Sequence, residues 1–297
     1  MRTIKDMNFI KVKEKTKMKK LISLAMAAVI SAGLFCGCGG NRANSISVIS
    51  REDGSGTRGA FVELFKVEDA DGNDATLDTA EITNSTSVML TTVSGNKAAI
   101  GYVSLGSLSS DVKAVKVDGV DATVENINNG SYTIARPFNI VYQEGTLSEL
   151  DQDFLNFIMS KDGQEIVADK GYISVAAGDA YTPAGLTGTV TLAGSTSVAP
   201  VMEVLADKYK ELNSGVTIEI QQSGSSAGIT SAIEGVCSFG MSSRELKPDE
   251  ASRLACVKMA MDGIAVIVNN ANSVSDLTSE QVRQIFMGEL TDWNKLG

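Results

Sequence analysis

The chain of 297 residues has no histidine, a single tryptophan and only four cysteines. Without imidazole there is no Ser-His or Cys-His couple, no histidine acid–base chemistry and little material for a zinc site. No run of 18 apolar residues occurs, which argues against a permanent transmembrane helix. No GxxxxGK[ST] stretch is present either, so a Walker-type nucleotide loop is excluded. What remains is a globular composition, 43% apolar and 21% charged, long enough for about two domains or lobes.

The first residues read as a sorting signal. Eight Lys and Arg side chains stand against Asp6 and Glu14 before an apolar run, Leu21–Phe35, that ends in Cys36-Gly37-Cys38-Gly39-Gly40. A basic start, a short apolar core and small residues describe an export signal over residues 1–37, and Met18 opens a complete signal by itself. The FCGC end resembles a bacterial lipobox with Cys38 as the lipidated residue, although Phe35 stands where Leu is usual. Removing residues 1–37 leaves 18 of the 26 basic and 34 of the 36 acidic residues, a formal charge of −16. Such a surface repels nucleic acid, and an anion can bind only at a local, desolvated site. Cys237 and Cys256 both sit in apolar runs; export permits a disulfide between them, but two buried thiols are the expectation.

Periodicity predicts strands at 46–49, 99–103, 113–117, 139–142, 189–193, 216–221, 257–261 and 264–268. Helical stripes recur around Ala60–Phe65, Phe154–Ile158, Val198–Leu212 and Val282–Phe286. Strands alternating with helices imply an α/β fold with mixed, mostly parallel sheets and flanking helices. Residues 176–188 (AAGDAYTPAGLTG) are the best linker candidate. The acidic stretch 69–78 lacks the Gly and Glu that a calcium loop needs at its sixth and twelfth positions, and reads as a solvated turn; no metal site is expected.

One local pattern occurs three times: a strand, a Gly/Ser/Thr loop, then a helix. The loops are Arg51-Glu52-Asp53-Gly54-Ser55-Gly56-Thr57, Gly194-Ser195-Thr196-Ser197, and Ser223-Gly224-Ser225-Ser226, the last leading into a helix from about Ile229. A helix start exposes unpaired N–H groups and partial positive charge, and in open α/β sheets ligands sit beyond the carboxyl ends of strands. Helix capping alone explains one such loop. Three in one chain, one beside an arginine, suit a small tetrahedral oxyanion.

The segments GTVTLAGSTSVAPVMEVLADKY, QQSGSSAGI, SFGMSSRELK, MDGIAVIVN and SREDGSGTRGAF together resemble the phosphate-binding proteins of bacterial phosphate ABC transporters. The resemblance covers nearly all of residues 46–297. It implies a periplasmic-binding-protein-like fold of two lobes closing on one phosphate about a hinge. It further implies an exported lipoprotein, monomeric and without enzymatic activity or cofactor, tethered at the extracytoplasmic face of the membrane, that delivers inorganic phosphate to permease subunits.

By matching motifs, Thr196, Ser197, Ser225 and Ser243 bind phosphate from one lobe, and Arg51, Ser55, Gly56 and Thr57 from the other, with Asp53 orienting Arg51. Family members often have Asp where Ser243 stands, so discrimination against sulfate is less assured here, and Asp262 is a candidate substitute acceptor. The motif order departs from the family: the SREDGSGT segment comes first and the DWNKLG segment last, a circular permutation or else a truncated tandem arrangement. The permuted lobes are 44–140 plus 268–297, and 141–267, with crossovers near 139–143 and 264–269. Other readings are an oxyanion sensor or adhesion protein, and a serine hydrolase using Ser55 or Ser225. The hydrolase lacks a base, and its SxxK-like pieces, Ser94–Lys97 and Ser110–Lys113, lack flanking motifs.

Overall fold

The computed structural model describes residues 44–296; the signal segment 1–37 and Cys38 lie outside the described residues. The strands are β1 (Ser47–Arg51), β2 (Glu81–Thr83), β3 (Ala99–Ser104), β4 (Val112–Ala114), β5 (Lys116–Val117), β6 (Ala135–Tyr142), β7 (Ile173–Ser174), β8 (Gly188–Gly194), β9 (Val216–Gln222), β10 (Phe239–Ser242), β11 (Ala255–Asn269) and β12 (Asp276–Leu277). The helices are α1 (Gly56–Phe65), α2 (Thr86–Gly95), α3 (Val124–Asn128), α4 (Glu149–Met159), α5 (Lys161–Asp169), α6 (Ala199–Leu212), α7 (Ser225–Ile233), α8 (Pro248–Ala251) and α9 (Ser279–Phe286).

The main sheet has the order β2-β1-β3-β11-β6-β10-β8-β9. Its two ends are parallel trios: β1 pairs parallel with β2 and β3, and β8 pairs parallel with β9 and β10. Between them β11 and β6 run antiparallel to each other and to the strands they join. Parallel trios need helical crossovers, which α1, α2, α6 and α7 supply.

Two hydrophobic cores flank this central pair. One gathers Ile49, Phe61, Tyr102 and Phe286 with Ile134 of the approach to β6 and Ile264–Val268 of β11. The other gathers Phe154, Phe157, Tyr209 and Phe239 with Phe138 of β6 and Met259–Ala260 of β11. The chain therefore passes from one core to the other between residues 134 and 138, and back between 260 and 264, a few residues before the expected crossovers. Aromatic contact tightens each core: Phe61 stacks on Tyr102 at 4.0 Å, and Phe154 meets Tyr209 edge-on at 4.9 Å.

Several sequence expectations need correction. The strands expected at 257–261 and 264–268 are one, because Asp262 finds a partner on β6 and Gly263 continues the ladder opposite Ala135. The strand expected at 113–117 is split at Val115, which donates its N–H to the Val266 carbonyl. Helix α7 begins at Ser225, not near Ile229, since Gly224 takes a left-handed turn (φ 87°) that starts it at once. The two cysteines are free thiols but not buried ones: Cys237 is half-buried and Cys256 exposed. The acidic stretch 69–78 is a turn in which Asp69 accepts from the N–H groups of Asp71 and Asn73, while Asp74 pairs with Arg58 at 2.6 Å.

Candidate functional site

Four helix starts meet beyond the carboxyl ends of β1, β2, β8 and β9. Each is built locally. In α1, Ser55 is the N-cap and its oxygen accepts from the Arg58 N–H at 3.3 Å. Gly56 and Thr57 follow as the first two helical residues, whose N–H groups have no carbonyl within the helix. In the turn that leads into α6 the Ser195 hydroxyl accepts from the N–H groups of Ser197 (3.2 Å) and Val198 (3.3 Å), with Pro200 fitted into the first turn of the helix. That division of labour leaves the Thr196 and Ser197 hydroxyls free to face the opposite core. Gly194 (φ 138°) lets β8 end in contact with Met241, where a side chain would overlap the Met241 carbonyl.

Across the cleft, Arg51 donates from Nη2 to Thr196 Oγ1 at 3.0 Å, and the Thr57 and Ser197 hydroxyls lie 2.8 Å apart. Ser243, at the end of β10, accepts from the Ser195 hydroxyl at 2.9 Å, and its N–H donates to Ser225 Oγ at 3.1 Å. The Ser226 N–H donates to the Gly54 carbonyl at 3.0 Å, one backbone bond directly between the two loops. Gly56 packs against Ser225 and Ser243 so closely that a Cβ there would overlap the Ser225 hydroxyl. All eight residues expected to bind a ligand are buried. Seven of them, all but Ser243, line one tightly closed pocket together with Ser195 and Gly224, with no room left for a water molecule.

The partner expected for Arg51 is corrected. Its Nε and Nη2 make a bidentate pair with Glu52, both at 2.8 Å, whereas the Asp53 carboxylate is 98% exposed and pairs with Arg58 at 3.1 Å. The left-handed turn at Gly54 (φ 82°) carries Asp53 outward and leaves Glu52 beside the guanidinium. Asp262 does not face the cavity as a substitute acceptor. It is buried, taking the Ser104 hydroxyl at 2.9 Å on one oxygen and Arg136 Nη2 at 3.2 Å on the other. Burial pushes its carboxyl up, against the pull of Arg136 and Ser104.

Two contributors escaped the sequence reading. The Thr86 hydroxyl, at the first residue of α2, lies 3.3 Å from Thr196 Oγ1 and 3.2 Å from Ser197 Oγ. Its signal was the same strand, Ser/Thr loop and helix pattern (EIT then Asn84-Ser85-Thr86-Ser87), hidden because the Thr- and Val-rich α2 has no clean helical stripe. The other is Arg136 on β6, whose Nη1 donates to Thr57 Oγ1 and to the Ser243 carbonyl, each at 2.8 Å. It stands alone in an apolar strand, in no Gly/Ser/Thr loop.

Behind Arg51, the buried Tyr102 hydroxyl accepts the Arg51 N–H at 3.2 Å and shares a hydrogen bond with Ser50 at 2.9 Å. Burial raises its pKa to about 12, so it stays neutral. The site is thus rich in hydroxyl and N–H donors and flanked by two buried guanidiniums, each balanced by one carboxylate. The Ser55 hydroxyl takes the Arg58 N–H, and the Ser225 hydroxyl lies 3.3 Å from that of Ser243 and takes the Ser243 N–H. No helix among the described residues is long and apolar enough to cross a membrane.

A sheet split into two parallel trios, two cores joined by antiparallel crossover strands, and a donor-lined cleft between them define a two-lobed solute-binding protein. Residues 20–162 and 179–297 match the family model described as PBP superfamily domain, and the chain belongs to that family. It is 50% identical over 289 residues to "Phosphate-binding protein PstS 2" of Streptococcus agalactiae (strain 2603 V/R), covering 94% of this chain and 99% of that protein. Its identity to "Phosphate-binding protein PstS 2" of Streptococcus pneumoniae (strain TIGR4) is 46% over 291 residues, again 94% and 99% of the two chains. A solved phosphate-binding protein of a phosphate ABC transporter from Streptococcus pneumoniae TIGR4 superposes with a TM-score of 0.69 at 47% identity, covering 85% of this chain and all of that one. Alignments that run nearly end to end mean that these relatives carry the motifs in the same order as this chain.

Proposed function

We propose that this chain captures inorganic phosphate outside the cytoplasm and presents it to an ABC transporter. The carrying observation is the cleft itself: hydroxyls from four helix starts, drawn from both cores, lie within hydrogen-bond distance of one another beside the buried Arg51. A tetrahedral anion matches such a ring, because its oxygens accept from several directions at once. Each charge-assisted hydrogen bond contributes about 1.5–3 kcal/mol net, so a handful reaches the roughly −8 kcal/mol of micromolar binding. The residues that hold phosphate in this reading are Thr196, Ser197, Ser225 and Ser243 on one side and Arg51, Ser55, Gly56 and Thr57 on the other, with Thr86 beside them. Opening and closing occur about the two crossover strands β6 and β11. The PstS relatives support the transport role. The signal-like start supports export, with Cys38 as a lipid anchor; in this reading the protein acts as a monomer that docks to permease subunits.

The test is calorimetric titration of the chain from residue 39 onward with phosphate, sulfate and arsenate. One tight phosphate site, lost in Arg51→Ala, is the expected result; no phosphate binding by folded protein overturns the reading. Capture of a wider range of oxyanions is a second reading, favoured by one feature. Both carboxylates near the cavity, Glu52 and Asp262, are engaged by arginines, which leaves hydroxyl oxygens to receive the proton of hydrogen phosphate. Sulfate binding within tenfold of phosphate at two pH values selects that reading.

A further inference from the structure

Arg136 stands apart from the loops that form the cleft. It lies on crossover strand β6, is 2% exposed, and reaches both cores at once: Thr57 of α1 and the carbonyl of Ser243 after β10. We propose that Arg136 is the positioning residue of the anion site, orienting the Thr57 hydroxyl and latching the two cores together when the cleft is closed. The inference rests on the phosphate reading and adds to it a residue outside the binding loops.

The geometry separates this role from simple charge balance. An arginine placed to neutralise a carboxylate faces it with two parallel N–H groups, as Arg51 faces Glu52 at 2.8 Å twice. Arg136 makes a single, longer contact with Asp262, at 3.2 Å through Nη2. Its Nε is buried with no hydrogen-bond partner, while Nη1 turns away from Asp262 to make the two short bonds at the cleft. A buried N–H left unpaired is costly, so the orientation is set by what Nη1 holds. The Phe138 ring, 5.2 Å from the guanidinium carbon, gives the cation an apolar wall.

The chemistry at the cleft follows from the donor inventory. A threonine hydroxyl has one proton and two lone pairs. Arg136 Nη1 occupies a lone pair of Thr57, which leaves the Thr57 proton to point at Ser197 or at an anion seated between them. The same guanidinium masks the Ser243 carbonyl, whose bare oxygen would repel an anion. Arg51 treats Thr196 in the same way from the other flank. Asp262 and Ser104 fix Arg136 from behind, at a point where β11 passes between the cores.

Removing Arg136 alone strands a buried Asp262, so the informative variant is the charge-neutral pair Arg136→Met/Asp262→Leu, a kind of replacement that often leaves stability unchanged or raised. Calorimetric titration with phosphate is run on wild type, this double variant, Thr57→Val, and the triple combination, with melting temperatures of the anion-free proteins alongside. The expected result is an anion-free melting temperature no lower than wild type and phosphate binding weakened at least about tenfold. The triple variant then binds no more weakly than the weaker of its two parents, because Arg136 acts largely through Thr57. Unchanged affinity in the double variant, or fully additive losses, overturns the proposal while leaving the phosphate reading intact. A lowered melting temperature with affinity unchanged marks a purely structural pair and overturns it as well. Wild-type protein that binds no phosphate overturns the phosphate reading, and the role of Arg136 with it.

Discussion

At Arg51 a one-residue difference in the turn decides which carboxylate matters. The family resemblance implies Asp53, two residues on, but the left-handed Gly54 sends that side chain to solvent and Glu52 pairs with the guanidinium instead. Held this way, Arg51 keeps Nη2 on Thr196 across the cleft. Glu52→Ala is expected to weaken phosphate binding about tenfold, roughly 1.4 kcal/mol, because the guanidinium loses both in-plane acceptors and swings free. Loss of the carboxylate also removes repulsion toward an anion, but Glu52 is about a quarter exposed and that term is screened. Asp53→Asn is expected to change affinity less than twofold, since its contact with Arg58 is on the surface. Calorimetry on the two variants decides, and the opposite ranking restores Asp53 to the role that the resemblance implies.

At the scale of elements, the strand–loop–helix units were the legible part, because each carries its own stop and start signals: a glycine that turns, a hydroxyl that caps, an apolar stripe that buries. That is why α1, α6 and the loops around Ser55, Thr196 and Ser225 stand close to their expected places. Helix α2 stayed hidden because Thr and Val favour strands as readily as helices and its buried positions are few. The Arg136–Asp262 pair stayed hidden for a different reason: its members are 126 residues apart, and only the pairing of β6 with β11 brings them together. Gly56 shows how an element and the site constrain one residue in opposite ways. Alanine there suits the first turn of α1 better than glycine by up to about 1 kcal/mol, yet its methyl overlaps the Ser225 hydroxyl across the cleft. Gly56→Ala is therefore expected to hold or raise the melting temperature of the anion-free protein while cutting phosphate affinity at least about tenfold. Wild-type affinity in this variant would show that the two loops do not approach in the bound state.

For the molecule as a whole, the chain leaves the second core's helices α4 and α5, runs through residues 176–187, and enters β8 of the same core. Tyr181 anchors one end of this segment, edge-on to Phe157 at 5.1 Å and donating its hydroxyl to Asp153 at 2.6 Å. Leu186 packs against the same core at the other end. Thr182–Gly185 between them are exposed, and Gly185 takes a left-handed conformation (φ 67°). None of the cleft residues, and neither crossover strand, depends on the continuity of these four residues. Exposed connections of this kind tolerate new breaks. A protease site inserted between Pro183 and Gly185 and then cut is expected to give two fragments that stay associated on a sizing column. They should bind phosphate within about threefold of the intact chain, since the ordered pieces keep their contacts and only loop-closure entropy changes. Fragments that separate, or a nicked protein that loses phosphate, would show instead that this segment holds the second core in register and thereby sets the positions of Thr196, Ser197 and Ser225.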